Sequence, residues 1–542
     1  MLRDVLLDIE RALLLIWVLL STAVPLFLRR LVTRQSEFAL LGARLRRSFQ
    51  RLGITYIKLG QFLAMRFDLL PQEVCRELAG LFDSVPPMST ENVRRTLELE
   101  FGRPTEKLFS SFDWECIAAA SVAQVHRAVT TAGAVVAVKI QRPRISRIFA
   151  ADIRNFRRLA RLGDYLQVFG PQSIVEAVNE FERYTRREMD FLTEGRTAER
   201  LRNNAGRGES APLVYWELTT TRVLTTELVD GYPLSEIIQL IEAGRQAELE
   251  TIAPGLDFDL ALHNFAWACL RQLFITGFFH ADPHPGNVFL RKDGTVVFVD
   301  FGIFGQLSPQ RRETFASYIE NLSFGNVAQS YQHFIKLLQP TIHTDLIQLR
   351  RDVYGIMRRW HKASQEPGAS VGELHLGTYF GEFISAIRRN KVQMSMDTLL
   401  FWRAILTLDA TALRFGNQFD LLQTLREFFV KTRPSPIERI LDLPANKSMA
   451  KSFLRLKREA PHDVNVFLDS MARGTHEILL VQNKEPGVKR FARDERLIVL
   501  TLLAGATAVL LNNSTVGVVG QIGLWLITLS LATAILTMLI RR

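Results

Sequence analysis

An aspartate followed five residues later by an asparagine, with Asp-Phe-Gly beyond, is an arrangement suited to moving a phosphoryl group from a nucleotide. The chain carries it at Gly277-Phe-Phe-His280-Ala-Asp282-Pro-His284-Pro-Gly286-Asn287 and at Asp300-Phe301-Gly302. Asp282 can accept or orient the proton of an attacking hydroxyl or water. Asn287 and Asp300 offer hard oxygen ligands to Mg²⁺, which bridges nucleotide phosphates and neutralises charge as the γ-phosphoryl group departs. Upstream, Val135-Val-Ala-Val-Lys139 ends an apolar run with a lysine whose ammonium could hold the α- and β-phosphates. A lone lysine on a strand is ordinarily a solvated edge, but the run that Lys139 closes reads as buried. His280 and His284 flank Asp282, yet Pro283 and Pro285 prevent the helix that would aim both imidazoles at one ion. His280 therefore reads as a structural residue of the loop.

These side chains need elements to position them. Val288 to Leu290 and Val296 to Val299 predict a hairpin, and the 18 residues from Asp282 to Asp300 leave room for it. A strand from Val122 to Val129 turns at Thr131-Ala-Gly133 into the strand bearing Lys139. Ahead of it, where a glycine-rich phosphate loop would stand, the chain has Ala118-Ala119-Ala120-Ser121. Cβ atoms there keep the backbone from wrapping phosphates closely, which should weaken ordinary transfer. After Gly302, Ser308-Pro309 starts a helix almost at once, and no Ala-Pro-Glu follows. That leaves little room for an activation segment and argues against a docking platform for a protein substrate. Helical runs continue to about Leu480, broken at Gln339-Pro340, Glu366-Pro-Gly368, Arg433-Pro-Ser-Pro436 and Ala460-Pro461.

Taken together, the motifs resemble the UbiB/AarF-like atypical kinases of isoprenoid-quinone metabolism. The resemblance rests on Lys58-Leu-Gly60-Gln61 with Arg66-Phe-Asp68-Leu-Leu-Pro71, on Ala118 to Ser121 with Gln124-Val-His126-Arg127, and on Val138-Lys139. It continues through Glu188-Met-Asp190-Phe-Leu-Thr-Glu194, Asp230-Gly231, the Asp282 loop and Asp300-Phe-Gly302, in family order over roughly residues 45 to 310. It implies an α+β, protein-kinase-like bilobal fold with an N-terminal helical extension and C-terminal transmembrane helices. It also implies ATP and Mg²⁺ as cofactors, ATPase rather than protein-kinase behaviour, and support of ubiquinone or plastoquinone synthesis. Membrane lipid or an isoprenoid quinone precursor, and quinone-biosynthesis enzymes, are the partners to expect.

Carried over to this chain, Lys58 and Gln61 belong to a helical element lying over the place where kinases bind peptide. Glu37 to Met65 reads as helix, and Lys58 would be costly to bury unless it faced a carboxylate. Glu188, on a long helix from about Ser173 to Asn203, is assigned to Lys139. Asp190 or Glu194, two and six residues on, is left to face Lys58. The backbone of Thr226-Glu227-Leu228-Val229 is expected to form the adenine-contacting hinge, with Glu227 and Val229 at the nucleotide; a plain strand end and turn is compatible.

The 542 residues are 47% apolar and 23% charged, which excludes general disorder. Lys and Arg number 67 against 56 Asp and Glu, so phosphate and anionic lipid suit the formal charge of +11. Aromatic interleaving, Cys/His modules and recognition-helix patterns are missing from the basic stretches, so nucleic acid is not expected. Three dispersed cysteines, Cys75, Cys116 and Cys269, fit a reducing compartment. Val516 to Ile540 is a 25-residue apolar run, long enough as a helix to cross a hydrocarbon core of about 30 Å. Leu497 to Leu511 would pair with it, and basic residues on both flanks put both ends in the cytoplasm. Ala12 to Leu28, ahead of an arginine-rich stretch, could span, lie in the interface or pack on the catalytic body. Asp4, Asp8 and Glu10 give the wrong leading region for a cleaved signal peptide.

The expected organisation is a membrane-associated segment (1–35), a helical extension (36–113), a kinase-like N-lobe (114–232), a helical C-lobe and connector (233–480), a linker (481–496) and a transmembrane hairpin (497–542). The expected location is a bacterial inner or thylakoid or plastid membrane, with the kinase-like part on the cytoplasmic side. Two other classes stay open: a small-molecule kinase of the aminoglycoside or choline type, and a nucleotide-gated lipid-binding scaffold.

Overall fold

Alternation along Val135–Gln141 sets the two faces of the N-terminal sheet. Val136, Val138 and Ile140 are fully buried on one face, and Lys139 belongs to the other. In this computed structural model the residues described are 6–432, apart from 16, 19–37, 67–69, 82–86, 166–173, 342–343, 367–374 and 416–418. They lie within one unit, Met1–Arg439; a second unit, Ile440–Arg542, carries the expected linker and membrane hairpin and falls outside the described residues. Asp68 and the expected helix breaks at Pro436 and Pro461 fall outside them as well.

Strands β1 (Phe109–Ala119), β2 (Ala123–Thr130), β3 (Val135–Gln141) and the Val223–Glu227 strand form an antiparallel sheet in that order. The helix Thr90–Phe101 covers its outer face, packing Val93 and Leu97 with Val136, Val138 and Ile140. The sheet begins at Phe109, inside the stretch the sequence assigns to the helical extension. Below it a helical lobe is built on Phe258–Arg271, Pro309–Ser323 and Met396–Phe415, with a short mixed sheet carrying the hairpin Val288–Leu290 and Val296–Phe298. Ser308 caps the helix after the Asp-Phe-Gly segment by accepting from Arg311 N, with Pro309 in its first turn. Between Gly302 and that helix there is the short strand Phe304–Gln306, paired antiparallel to Phe278–His280.

Two expected helices are each divided. Glu37 to Met65 becomes Phe38–Leu52 and Ile54–Met65, separated at Gly53 with φ of +91°, a conformation that glycine adopts without a Cβ penalty. The long helix around Glu188 becomes Ile174–Glu188 and Phe191–Asn204. Asp190 stops the first and caps the second, accepting from Leu192 N at 3.2 Å and from the Thr193 hydroxyl at 2.7 Å.

At the N-terminus, residues 6–15 form a helix that docks on Ile145–Tyr165. Arg11 grips the fully buried Asp152 through two bonds of 2.8 Å, and Asp8 accepts from Arg154 and Arg158. Leu15 and Val18 are buried, while Leu6, Ile9, Leu13 and Trp17 recur at helical spacing and are exposed. Of the three placements open for the N-terminal segment, this portion takes the body of the protein; residues 19–35 are outside the described region. No helix among the described residues is long and apolar enough to cross a membrane.

Gly60 lets the Ile54–Met65 helix approach its neighbours. A Cβ there would fall 2.1 Å from Leu81 Cδ1 and 2.8 Å from the Phe49 ring. Gly60→Ala should therefore lower stability by about 1–3 kcal/mol, the usual cost of forcing atoms into a filled core. Chemical denaturation of the purified protein checks this, and a midpoint equal to the parent's would contradict the packing described.

Candidate active site

Lys139 reaches the cleft because its position on β3 is out of phase with the buried valines. Its Nζ lies 2.6 Å from Glu194 Oε1 and 3.6 Å from Asp300 Oδ1, and 5.4 Å from the centre of the Phe191 ring. Burial alone would lower its pKa, but the two carboxylates reverse that and hold the ammonium charged. Burial also works against ionised Asp300, yet Lys139 and the Gly302 N–H keep that carboxyl at about 2, so it is ionised throughout the working pH range. The partner of Lys139 is thus Glu194, not Glu188. The cause is the helix break at Asp190, which turns Glu188 and Glu194 onto different walls of the cleft.

Glu188 ends its helix facing Lys58, with Nζ to Oε2 at 3.2 Å and both side chains nearly buried. Burial pushes the Glu188 carboxyl up, and Lys58 opposes the shift. Asp190, the other residue considered for Lys58, is spent on the helix cap. Gln61 lies one turn beyond Lys58 and donates to Leu81 O at 3.0 Å. Lys58, Gln61, Lys139, Asp282 and Asp300 line a single cavity of about 300 Å³, so the helical extension forms a wall of this candidate site.

The Asp282 loop is anchored from below. His280 N donates to Gln272, whose amide donates to the buried Glu209, itself paired with Arg271. His280 Nδ1 accepts from Asp282 N at 3.1 Å, and His284 Nδ1 accepts from Gly286 N. Both imidazoles thereby serve the loop backbone, and no group of three His, Cys, Asp or Glu among the described residues forms a self-sufficient metal site. Asn287 donates its amide to Asp282 O at 3.3 Å, and Val299 N donates to Asn287 O at 3.0 Å. The hairpin therefore brings Asn287 to the end from which Asp300 projects. An amide whose NH₂ is committed has its oxygen left for a ligand. Asp300, with 42% of its side chain exposed, engages Lys139 and Gly302 through Oδ1. Asp300 lines the cavity, whereas Asn287 is largely buried and lies outside its lining, so Asp300 is the hard oxygen ligand at the cleft that Mg²⁺ could share with phosphates.

The alanine segment divides. Ala118 and Ala119 finish β1, while Ala120 closes a tight turn onto Ala123 O and lines the cavity with Ser121. The Ser121 hydroxyl is buried without a partner among the described residues, a polar group suited to a phosphate oxygen. Glu227 and Val229 lie outside this cavity. The Glu227 carboxylate pairs with Arg291 at 2.8 Å and Arg202 at 3.4 Å, which leaves the backbone reading of this segment as an expectation. One charged residue of the site escaped sequence reasoning altogether: Arg403, whose Nη2 donates to Asp282 Oδ2 at 2.5 Å. It is 121 positions away, in a helix with no motif to mark it.

Burial of His280 drives its pKa down to about 4 from the ordinary 6.5. A folded-state pKa below the unfolded one means the unfolded chain takes up more protons between those values. Stability should thus be full above pH 6.5 and fall by up to about 3 kcal/mol as pH drops toward 4. Unfolding measured from pH 7 to 5 should show a shallower decline in His280→Gln than in the parent; equal slopes would contradict a buried neutral imidazole.

Comparison with known proteins agrees with this geometry. Residues 80–334 match the ABC1 atypical kinase-like domain. The chain is 31% identical over 424 residues to the chloroplastic protein Activity of bc1 complex kinase 7 of Arabidopsis thaliana, covering 77% of this chain but 57% of that longer protein. It is 30% identical to the uncharacterised Synechocystis protein slr0889, with 66% and 86% of the two chains covered. It is 29% identical to the protein named "Probable protein kinase UbiB" of Pseudomonas paraeruginosa, with 91% and 89% covered. On these matches the chain belongs to the ABC1/UbiB family of atypical kinases.

Proposed function

We propose that this protein binds Mg-ATP between its lobes and works as a membrane-attached ATPase or atypical kinase in isoprenoid-quinone biosynthesis or lipid handling. The observation that carries the nucleotide part is the placement of Lys139 between Glu194 and Asp300, across one cavity from Asp282. Asp300 and Asn287 would hold Mg²⁺, which supplies charge neutralisation on the phosphates. Lys139 would hold the α- and β-phosphates, the Ser121 hydroxyl would meet a phosphate oxygen, and Asp282 would receive the proton of the attacking group.

Hydrolysis is favoured over transfer to a polypeptide by the wall that carries Lys58 and Gln61. The nearly buried Lys58–Glu188 pair occupies part of the cavity wall and leaves less room there for a polypeptide than for water. Membrane attachment is supported by the apolar run from Val516 to Ile540 and by the exposed stripe of Leu6, Ile9, Leu13 and Trp17. The quinone link is drawn from the family, whose members include the protein named UbiB.

The test uses purified full-length protein in lipid nanodiscs. Mg-ATP should raise the thermal midpoint of the parent and leave Asp300→Asn unmoved, because a hard ligand is lost. Phosphate release should exceed radiolabel transfer to protein, lipid or soluble acceptors. An unchanged nucleotide shift in Asp300→Asn would contradict the site, and efficient transfer to a soluble metabolite would contradict the ATPase reading.

A further inference from the structure

Arg403 has a place in this cleft that no motif assigns. It sits on Met396–Phe415, a helix that buries Phe401, Trp402, Ala404, Ile405 and Leu408. That helix packs on Phe258–Arg271, on the Phe304–Gln306 strand and on the Ile54–Met65 helix bearing Lys58. Arg403 is therefore delivered by a core element that cannot shift without repacking its neighbours. Its side chain is 23% exposed and that of Asp282 14%, so their 2.5 Å bond is largely shielded from water. Burial alone would lower the Arg403 pKa; Asp282 more than offsets this and the guanidinium stays charged.

Among the described residues around the cavity, three cations face four carboxylates. Lys58 pairs with Glu188, and Lys139 pairs with Glu194 and Asp300. Arg403 is the cation on Asp282. A triphosphate entering the cleft carries several negative charges toward that carboxylate, and in a shielded site their repulsion is strong. A guanidinium held on one carboxylate oxygen also fixes the rotation of the group, leaving the other oxygen to face the reacting hydroxyl or water.

We infer that Arg403 is a positioning residue for phosphoryl transfer: it holds Asp282 by Oδ2 and screens that carboxylate from the bound triphosphate. The inference rests on the reading of Asp282 given above. It differs from a purely structural role because its effect must pass through Asp282. Lysine at 403 would supply the charge without the planar fork.

Steady-state phosphate release from Mg-ATP by the full-length protein in nanodiscs tests this, with Arg403→Met, Arg403→Lys, Asp282→Asn and the two doubles. Arg403→Met should lower kcat tenfold or more while KM for Mg-ATP stays within threefold, and Arg403→Lys should recover part of the loss. In the Asp282→Asn background either change at 403 should cost less than twofold further. Losses that multiply in the double variants, a rise in KM with kcat unchanged, or no effect would overturn the inference. If the Met variant does not fold, the Lys variant and its double with Asp282→Asn give the same cycle. A parent that releases no phosphate fails the functional reading and the inference with it; an active parent with multiplying losses fails the inference alone.

Discussion

A buried ammonium needs its countercharge in place before it is worth burying, and Lys139 has two from different lobes. Glu194 comes from the helix behind the sheet and Asp300 from the hairpin below it. Removing Glu194, the near and buried partner, would leave a shielded charge short of its countercharge, a loss that typically reaches several kcal/mol, whereas the half-exposed Asp300 contributes less. Much of the surrounding architecture can be understood as meeting that condition. The phase of β3 aims Lys139 inward, the Asp190 cap starts a new helix so that Glu194 meets it, and the Val288–Leu290 hairpin returns the chain to Asp300.

The same logic recurs twice more in the cleft. Lys58 is matched by Glu188 and Arg403 by Asp282, each pair joining elements far apart in sequence. The helical extension and the late helix Met396–Phe415 are consequently parts of the site, not decoration around a kinase core. Both contribute side chains to the cavity lining. Any motion that parts these elements must exchange each ion pair for water or ligand.

The conformation of the Asp282 loop, the hairpin and the Ser308 cap were legible because their signals are local: a few residues at fixed spacing, with proline and serine at turns. The choice among Glu188, Asp190 and Glu194 was not, since it depends on whether one helix or two runs through them. The signal was an aspartate able to cap at position 190, outweighed by helix-compatible residues on both sides. Gly53 divided the first helix for a similar reason, one positive φ that apolar periodicity does not register. Arg403 was beyond reach because nothing local distinguishes it from other arginines on amphipathic helices; its role exists only once 121 residues of chain have folded back on Asp282. Asp8, read in the sequence only as an argument against a cleaved signal peptide, and Arg11 follow the same rule, anchoring the N-terminal helix on Arg154 and Asp152.

The account stands on a divalent cation joining triphosphate to the Asp300 side of the cleft. Calorimetric titration of the full-length protein in nanodiscs with ATP, once with Mg²⁺ and once with the cation chelated, tests that most directly. Binding should weaken at least tenfold when Mg²⁺ is removed, since ionised Asp300 then repels the phosphates it would otherwise share a cation with. Equal affinity under both conditions would contradict it.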